Sequence, residues 1–237
     1  MKKFFLLTIF CLACFHLFAN DSADKAFEQL YTRMSNLSKD NVVRKDIKNR
    51  IIFVDCISGD VNYKKETLKR FANTISGKLK NDKEIGSLLQ NSNALIILNC
   101  IAGKDSLMPV CFDKRNYVVQ QTQEQPDMQF EMLYIGMKNS LLQTLQKNNV
   151  AYQGKLTMTK DSARKIIFTN FKLGMPSANL PPGFQQEFDG KKNDLVNQFK
   201  SMPMAVEMIK TKHVKFIQNF TTTDSKIFFM VVGENDF

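Results

Sequence analysis

The most regular hydrophobic spacing in the chain lies between Asp127 and Asn148. Apolar residues recur there every three or four positions, at Phe130, Leu133, Met137, Leu141 and Leu145. This period predicts an amphipathic α-helix, and Pro126 followed by Asp127 is a stop and cap signal. Three more apolar residues fall outside the stripe: Met128, Met132 and Ile135. They predict that this end of the helix is covered on more than one side.

Two strands should follow this helix. Residues 155–159 and 165–173 are rich in β-branched and aromatic side chains, and the turn-forming group Lys160-Asp161-Ser162-Ala163 separates them. The predicted unit is therefore α-β-β.

The same order recurs twice. Helices at 63–79 and 82–89 precede strands at 94–101 and 107–112, which turn at Asp105-Ser106. A helix at 184–199 precedes a hairpin of 206–220 and 226–232, which turns at Asp224-Ser225. The second and third passages also share short stretches of sequence. Asp and Ser favour turns for local reasons, so chance recurrence is the alternative to duplication.

The remaining elements complete an α+β fold, with mainly antiparallel sheets packed by amphipathic helices. We expect a helix at 21–38, a polar connector at 39–50, strands at 51–57 and 116–120, and a loop at 174–183. One α+β domain should span residues 20–237. The polar segment 122–126 is the best place to divide it into lobes, 20–122 and 127–237.

The N-terminus has the plan of a secretory signal peptide. Lys2 and Lys3 precede an apolar run, and the small residue Ala19 ends it before a polar segment. Residues 1–19 should be removed, and the protein should be exported, to the periplasm or the medium. The run is shorter than the roughly 20 residues of a membrane-spanning helix, and no second long run predicts a transmembrane segment. Lipidation at Cys14 is an alternative.

The chain is basic throughout. The formal net charge is +10, and loss of Lys2 and Lys3 leaves +8, which favours association with anionic surfaces. Among the lysine clusters, Lys210, Lys212 and Lys215 are the candidate binding residues. In an exported protein the available partners are an envelope protein, anionic lipid or polysaccharide. The sequence has no basic motif with interspersed aromatic residues, the pattern that would indicate nucleic-acid binding. A solvated face is the alternative reading of each cluster.

Three cysteines remain after signal removal. A turn at Asp105-Ser106 would place Cys100 opposite Cys111 in an antiparallel pair, which predicts a disulfide between them and leaves Cys56 as a buried free thiol. The alternative bridge, Cys56 to Cys100, requires strands 51–57 and 94–101 to be neighbours.

Candidate chemistry is sparse. His213 is the only histidine of the mature chain, so a multi-histidine metal centre is excluded and no metal or cofactor is predicted. No phosphate loop, zinc-protease motif or nucleophile elbow occurs. Cys56, beside Asp55 at a strand end, and His213, on a predicted strand, are the only weak catalytic candidates.

Three functional hypotheses follow. The leading one is a non-catalytic, exported binding protein whose partner is a protein, an anionic surface or an apolar ligand. The alternative is a small thiol-dependent or hydrolytic enzyme that uses Cys56 with His213 as its base. A third is a carrier with an apolar cavity lined by Met132, Ile135, Phe168 and Phe228.

Overall fold

The computed structural model describes residues 21–38, 41–58, 65–102, 105–106, 109–117, 127–147 and 156–237. The predicted signal peptide and most of the predicted strand 116–120 lie outside these ranges. The chain forms two compact units that divide it near residues 121 and 122. Both are built from helices and mixed sheets, which confirms the predicted α+β class.

The first unit contains three helices and one sheet. The helices are α1 (21–37), α2 (Lys65–Asn81) and α3 (Lys83–Ser92), and the strands are β1 (Val42–Asp46), β2 (Ile51–Ser58), β3 (Leu95–Ala102), β4 (Asp105–Ser106) and β5 (Val110–Phe112). The sheet order is β1-β2-β3-β4, and β5 also pairs with β3. Strands β2 and β3 run parallel, because Leu95 bonds Arg50 at one end and Asn99 bonds Asp55 farther along.

The second unit has the same order of elements. Its helices are α4 (Met128–Lys147), α5 (Phe184–Lys200) and α6 (Pro203–Lys212), and its strands are β6 (Leu156–Asp161), β7 (Ile166–Lys172), β8 (Lys215–Thr221) and β9 (Ile227–Val232). The sheet order is β6-β7-β8-β9, with a parallel pair at its centre between two antiparallel pairs. Apart from the two-residue strand β4, each unit is therefore αββααββ, and each contains two α-β-β passages.

The first helices of the two units share a sequence as well as a position. Residues 27–34 and 130–137 both read Phe-Glu-x-Leu-Tyr-x-x-Met. The tyrosine hydroxyl donates to the carbonyl of Val43 in one unit and of Met158 in the other. A lysine, Lys45 or Lys160, lies over the tyrosine ring and pairs with the glutamate. The same side chains therefore make the same contacts twice.

The hairpins after these helices also correspond. Residues 46–53 and 161–168 both begin with Asp and end with Ile-Ile-Phe. The aspartate accepts a backbone N–H three residues on in each turn. The turn closes through a left-handed residue, Arg50 at φ 52° or Lys165 at φ 54°. Its carbonyl then accepts the N–H that starts the parallel strand, from Leu95 or Lys215, at 3.0 Å.

The crossover helices match in length and burial. Helices α2 and α5 each have 17 residues, and α3 and α6 each have 10. Both pairs end in a left-handed residue, Asn93 or His213. Positions shifted by 120 residues are buried alike, as in Leu68 and Phe188, Leu79 and Phe199, Ile85 and Ala205, and Leu89 and Ile209. The chain is thus an internal repeat of about one hundred residues.

Several predicted boundaries are wrong. The connector 39–50 contains strand β1, and residues 206–212 are helical, so the last hairpin starts only at Lys215. Asp105 and Ser106 form strand β4 and not a turn. Residues 114–117 form a 3₁₀ turn, so a strand does not resume at Asn116. Strand β1 was not predicted, because the charged residues Arg44, Lys45 and Asp46 hide the alternation of polar and apolar positions.

A buried polar pair crosses the parallel strands in both units. In the first, the Asn99 amide donates to the Asp55 carboxylate at 2.8 Å, and Arg44 pairs with the same carboxylate at 2.5 Å. Burial raises the pKa of Asp55, and Arg44 opposes that shift. In the second unit, Asn219 donates to Asn170 at 2.9 Å, and Thr159 stands in the place of the arginine. The second unit thus has the same contact without charge.

We expect Asp55→Asn alone to lower the free energy of unfolding by about 3 kcal/mol, because it leaves the Arg44 guanidinium without its buried carboxylate. The double variant Arg44→Thr with Asp55→Asn copies the second unit and should stay within about 1 kcal/mol of the wild type. Urea denaturation measures both. Equal losses in the two variants would show that Arg44 and Asp55 do not act as a pair.

Candidate functional site

The three cysteines do not form the predicted bridge. Cys111 is paired across the sheet with Ile97, three positions away from Cys100. All three cysteines are buried, and none is in a disulfide. The register prediction failed because Asp105 and Ser106 are not the turn. Cys56 and Cys100 instead hydrogen-bond to each other on neighbouring strands β2 and β3. In the second unit the equivalent pair is Phe171 and Phe220, whose rings stack 4.7 Å apart.

The two weak catalytic candidates have different surroundings. Cys56 lies within the first unit, and its hydrogen bond with Cys100, together with burial, raises the pKa of its thiol. A buried thiol of raised pKa is a poor nucleophile. His213 is in the second unit, where it ends α6 in a left-handed conformation and is not on a strand. Its Nδ1 lies 2.5 Å from the Glu234 carboxylate. These contacts do not assemble a nucleophile with its base.

We expect the native protein to resist thiol reagents. Because Cys56, Cys100 and Cys111 are all buried, fewer than one thiol per chain should react with Ellman's reagent within minutes, and all three should react after unfolding in guanidinium. Rapid alkylation of Cys56 alone in the folded protein would contradict this expectation. It would support the hypothesis of a thiol-dependent enzyme.

The predicted lysine site is only partly exposed. The Lys212 ammonium lies 3.4 Å from the Asp127 carboxylate, which also holds Lys165 at 3.2 Å. Lys210 is exposed and Lys215 is half-buried. Asp127 in turn caps α4 by accepting the N–H groups of Gln129 and Phe130. The carboxylate thus ties the start of α4 to the end of α6, and it neutralises part of the predicted cluster.

The four residues predicted to line an apolar cavity are not all interior. Phe168 and Phe228 are buried, and Phe228 packs with Phe188 and Met230. Met132 and Ile135 are exposed on the surface of α4. These four side chains therefore do not line a closed interior cavity. The prediction that α4 is covered on more than one side at this point is also wrong, and the exposed side chains are themselves the notable feature.

An exposed apolar surface runs along α4 and onto the start of α6. We call it the methionine surface, and it consists of Met128 (69% exposed), Met132 (64%), Ile135 (54%), Gly136, Met202 (44%) and Met204 (57%). The α4 residues are spaced at i, i+4 and i+7, so they share one face of the helix. Asp127 at the start of α4 pairs with Lys212 at the end of α6. In the first unit Arg33, the equivalent of Gly136, pairs with Asp82 and Glu84, the equivalents of Met202 and Met204. The correspondence of the two units therefore places the start of α6 beside Gly136, with the two helices antiparallel.

The first unit shows that the fold does not require this surface. The residues of α1 that correspond to Met128, Met132 and Ile135 are Lys25, Gln29 and Thr32, and all three are exposed. The buried residues of the two helices are otherwise closely similar. The difference between α1 and α4 thus lies in their outer faces.

A charged trio fills the neighbouring position in the first unit. Arg33 of α1 bonds Asp82 at 2.7 Å and also pairs with Glu84, at the start of α3. The equivalents in the second unit are Gly136, Met202 and Met204. A Cβ atom added to Gly136 would meet no other atom within 4 Å. The position at which the arginine side chain begins in the first unit is therefore open in the second.

This exchange costs stability. Asp82 caps α3 by accepting the N–H groups of Glu84 and Ile85, whereas Met202 makes no side-chain cap bond for α6. Losing such a cap typically costs about 1 kcal/mol, and a mid-helix glycine costs about 1 kcal/mol relative to alanine. Folding stability consequently does not explain these residues. Exposed apolar patches of this kind often mark interaction sites.

The sequence contained a signal for this site. Aligning 27–34 with 130–137 would have shown that the two helices differ mainly at their outer positions. Comparison with protein-family models, curated proteins and solved structures finds no match for this chain. In the described part of the chain, no helix is long and apolar enough to cross a membrane. Within the same ranges, no three acidic, cysteine or histidine side chains are grouped to hold a metal ion.

Proposed function

We propose that this chain is an exported, non-catalytic binding protein and that its methionine surface binds a partner protein of the cell envelope or its surroundings. The observation that carries the proposal is a contrast between the two units. They share a fold and its internal contacts, but the surface that is polar and charged in the first unit is apolar in the second. Methionine suits such a role, because its unbranched, polarisable side chain adapts to different apolar partners.

Export rests on the N-terminal sequence, with its two lysines, apolar run and small residue at position 19. Mass spectrometry of the protein from its native host should find a mature chain that begins at Asn20. A chain that retains Met1 in the cell would contradict export while leaving the binding surface untouched.

Site-specific photo-crosslinking in the native host tests the surface. A photoreactive residue at position 132 should give a discrete adduct, whereas the same residue at position 29, its equivalent on α1, should give none. The adduct should disappear when Met202→Asp and Met204→Glu restore the residues of the first unit. Adducts of equal yield at both positions would contradict the proposal.

The control for folding is a graft. Met128→Lys, Met132→Gln and Ile135→Thr place the α1 residues on α4, and each changes only an exposed side chain. The free energy of unfolding should change by less than about 0.5 kcal/mol per site, and the graft should also abolish the adduct at a second probe position, 204. A large loss of stability would mean that the methionine surface supports the fold.

A further inference from the structure

We infer that the methionine surface receives an amphipathic helix of the partner protein, with its apolar stripe over Gly136 and acidic residues at one end. This inference rests on the proposed function and adds the class of segment that is bound. It follows from the shape of the surface, its length and the charges at its rim.

The shape that we infer is a groove. Gly136 has open space where a side chain would begin, and Met132 and Ile135 on α4 and Met202 and Met204 at the start of α6 are exposed. In the first unit the Arg33 side chain extends from α1 to Asp82 and Glu84 at the start of α3. The second unit has no side chain at this position, which leaves a gap between the corresponding parts of α4 and α6.

The length fits a short helical segment. Met128 and Ile135 are seven residues apart, which corresponds to about 10 Å along α4. This equals roughly two helical turns, the span of the i, i+3, i+4 and i+7 anchors with which an amphipathic helix enters a groove. Such a segment brings three or four apolar side chains to the exposed methionines.

The rim is charged asymmetrically. Lys138, one turn beyond Ile135, and Lys200, two residues before Met202, are exposed, and among the described residues neither has a carboxylate partner. The nearest carboxylate on α4, Glu131, is held by Lys160 and Ser162. On α6, Glu207 lies one turn beyond Met204, away from this end. Complementarity therefore favours acidic residues at the end of the bound helix that lies over Lys138 and Lys200.

A lipid surface fits these residues less well. Faces that insert into membranes usually project Trp, Phe or Leu outward among many basic residues, whereas the methionine surface has no aromatic residue and has a glycine at its centre. A second copy of the chain also fits poorly. Three to five partly exposed side chains supply far less than the roughly 800 Å² per partner of a stable interface, and a symmetric contact would bring both pairs of rim lysines into it.

The test uses the full mature chain with methionine methyl groups labelled with ¹³C. The probe is an 18-residue peptide with leucine at i, i+3, i+4 and i+7 and glutamates at one end. One control peptide has the same composition but scattered leucines, and the other has lysine in place of glutamate. The first peptide should shift the methyl signals of Met128, Met132, Met202 and Met204, and not those of buried Met34 and Met230. Its dissociation constant should be below about 100 µM, and both controls should bind at least tenfold more weakly.

Closing the groove should abolish binding. The variant Gly136→Arg, Met202→Asp, Met204→Glu recreates the charged trio and should weaken the peptide at least tenfold. Gly190→Arg is the matched control, because Gly190 also lies within a helix with no other atom within 4 Å of an added Cβ, and it should bind normally. Unchanged signals of Met34 and Met230 will show that each variant is folded.

The other occupants are distinct outcomes. Vesicles of phosphatidylcholine with one-fifth phosphatidylglycerol that shift the same four signals, without binding of the peptide, would overturn the inference in favour of lipid. A dimer in sedimentation that the groove-closing variant abolishes would overturn it in favour of self-association. No peptide binding at 1 mM, with the crosslink at position 132 still present, would reject the helical segment and leave the proposed function standing.

Discussion

The parallel pair of strands at the centre of each unit imposes the rest of the architecture. Parallel neighbours cannot be joined by a tight turn, so the chain must cross over one face of the sheet before the second strand begins. Both units make this crossover with two helices of 17 and 10 residues, and both end it in a left-handed residue. An asparagine amide, of Asn99 or Asn219, then bonds across the parallel pair. Antiparallel strands at the edges complete each sheet.

Most buried positions of the two units hold similar residues. At some positions, however, one kind of contact in the first unit is replaced by another kind in the second. Hydrogen-bonded cysteines in the first unit correspond to stacked phenylalanines in the second. A charged Arg44–Asp55 pair corresponds to Thr159 and Asn170. Each exchange replaces one contact across a strand pair with another, and the surrounding strands keep their order. These exchanges show which contacts the fold requires and which it merely permits.

The outer faces have followed a different course. The surface around Arg33 in the first unit is closed by ion pairs and a helix cap, and the corresponding surface in the second unit is open and apolar. Both versions coexist in one chain, on one scaffold, so the difference cannot come from the demands of the fold. This difference is the basis on which we propose a binding role for the second unit. Comparison of equivalent positions in the two units thus distinguishes residues that the fold needs from residues that it does not need.

Local pattern alone determined much of this protein. The spacing of Phe130, Leu133 and Met137 predicted α4, and the largely apolar runs at 51–57 and 94–101 predicted β2 and β3, because period and burial are recorded in consecutive residues. The strand β1 was missed, since its charged residues hide the alternation, and α6 was taken for a strand because its ten residues lack a strong stripe. Only the tertiary structure decided the register of β3 and β5, which depends on where the chain turns, and hence which cysteines meet. It also decided that Met128, Met132 and Ile135 face outward and join Met202 and Met204. Whether these side chains are exposed depends on how helices that are distant in sequence pack together, so no single stretch of the chain predicts it.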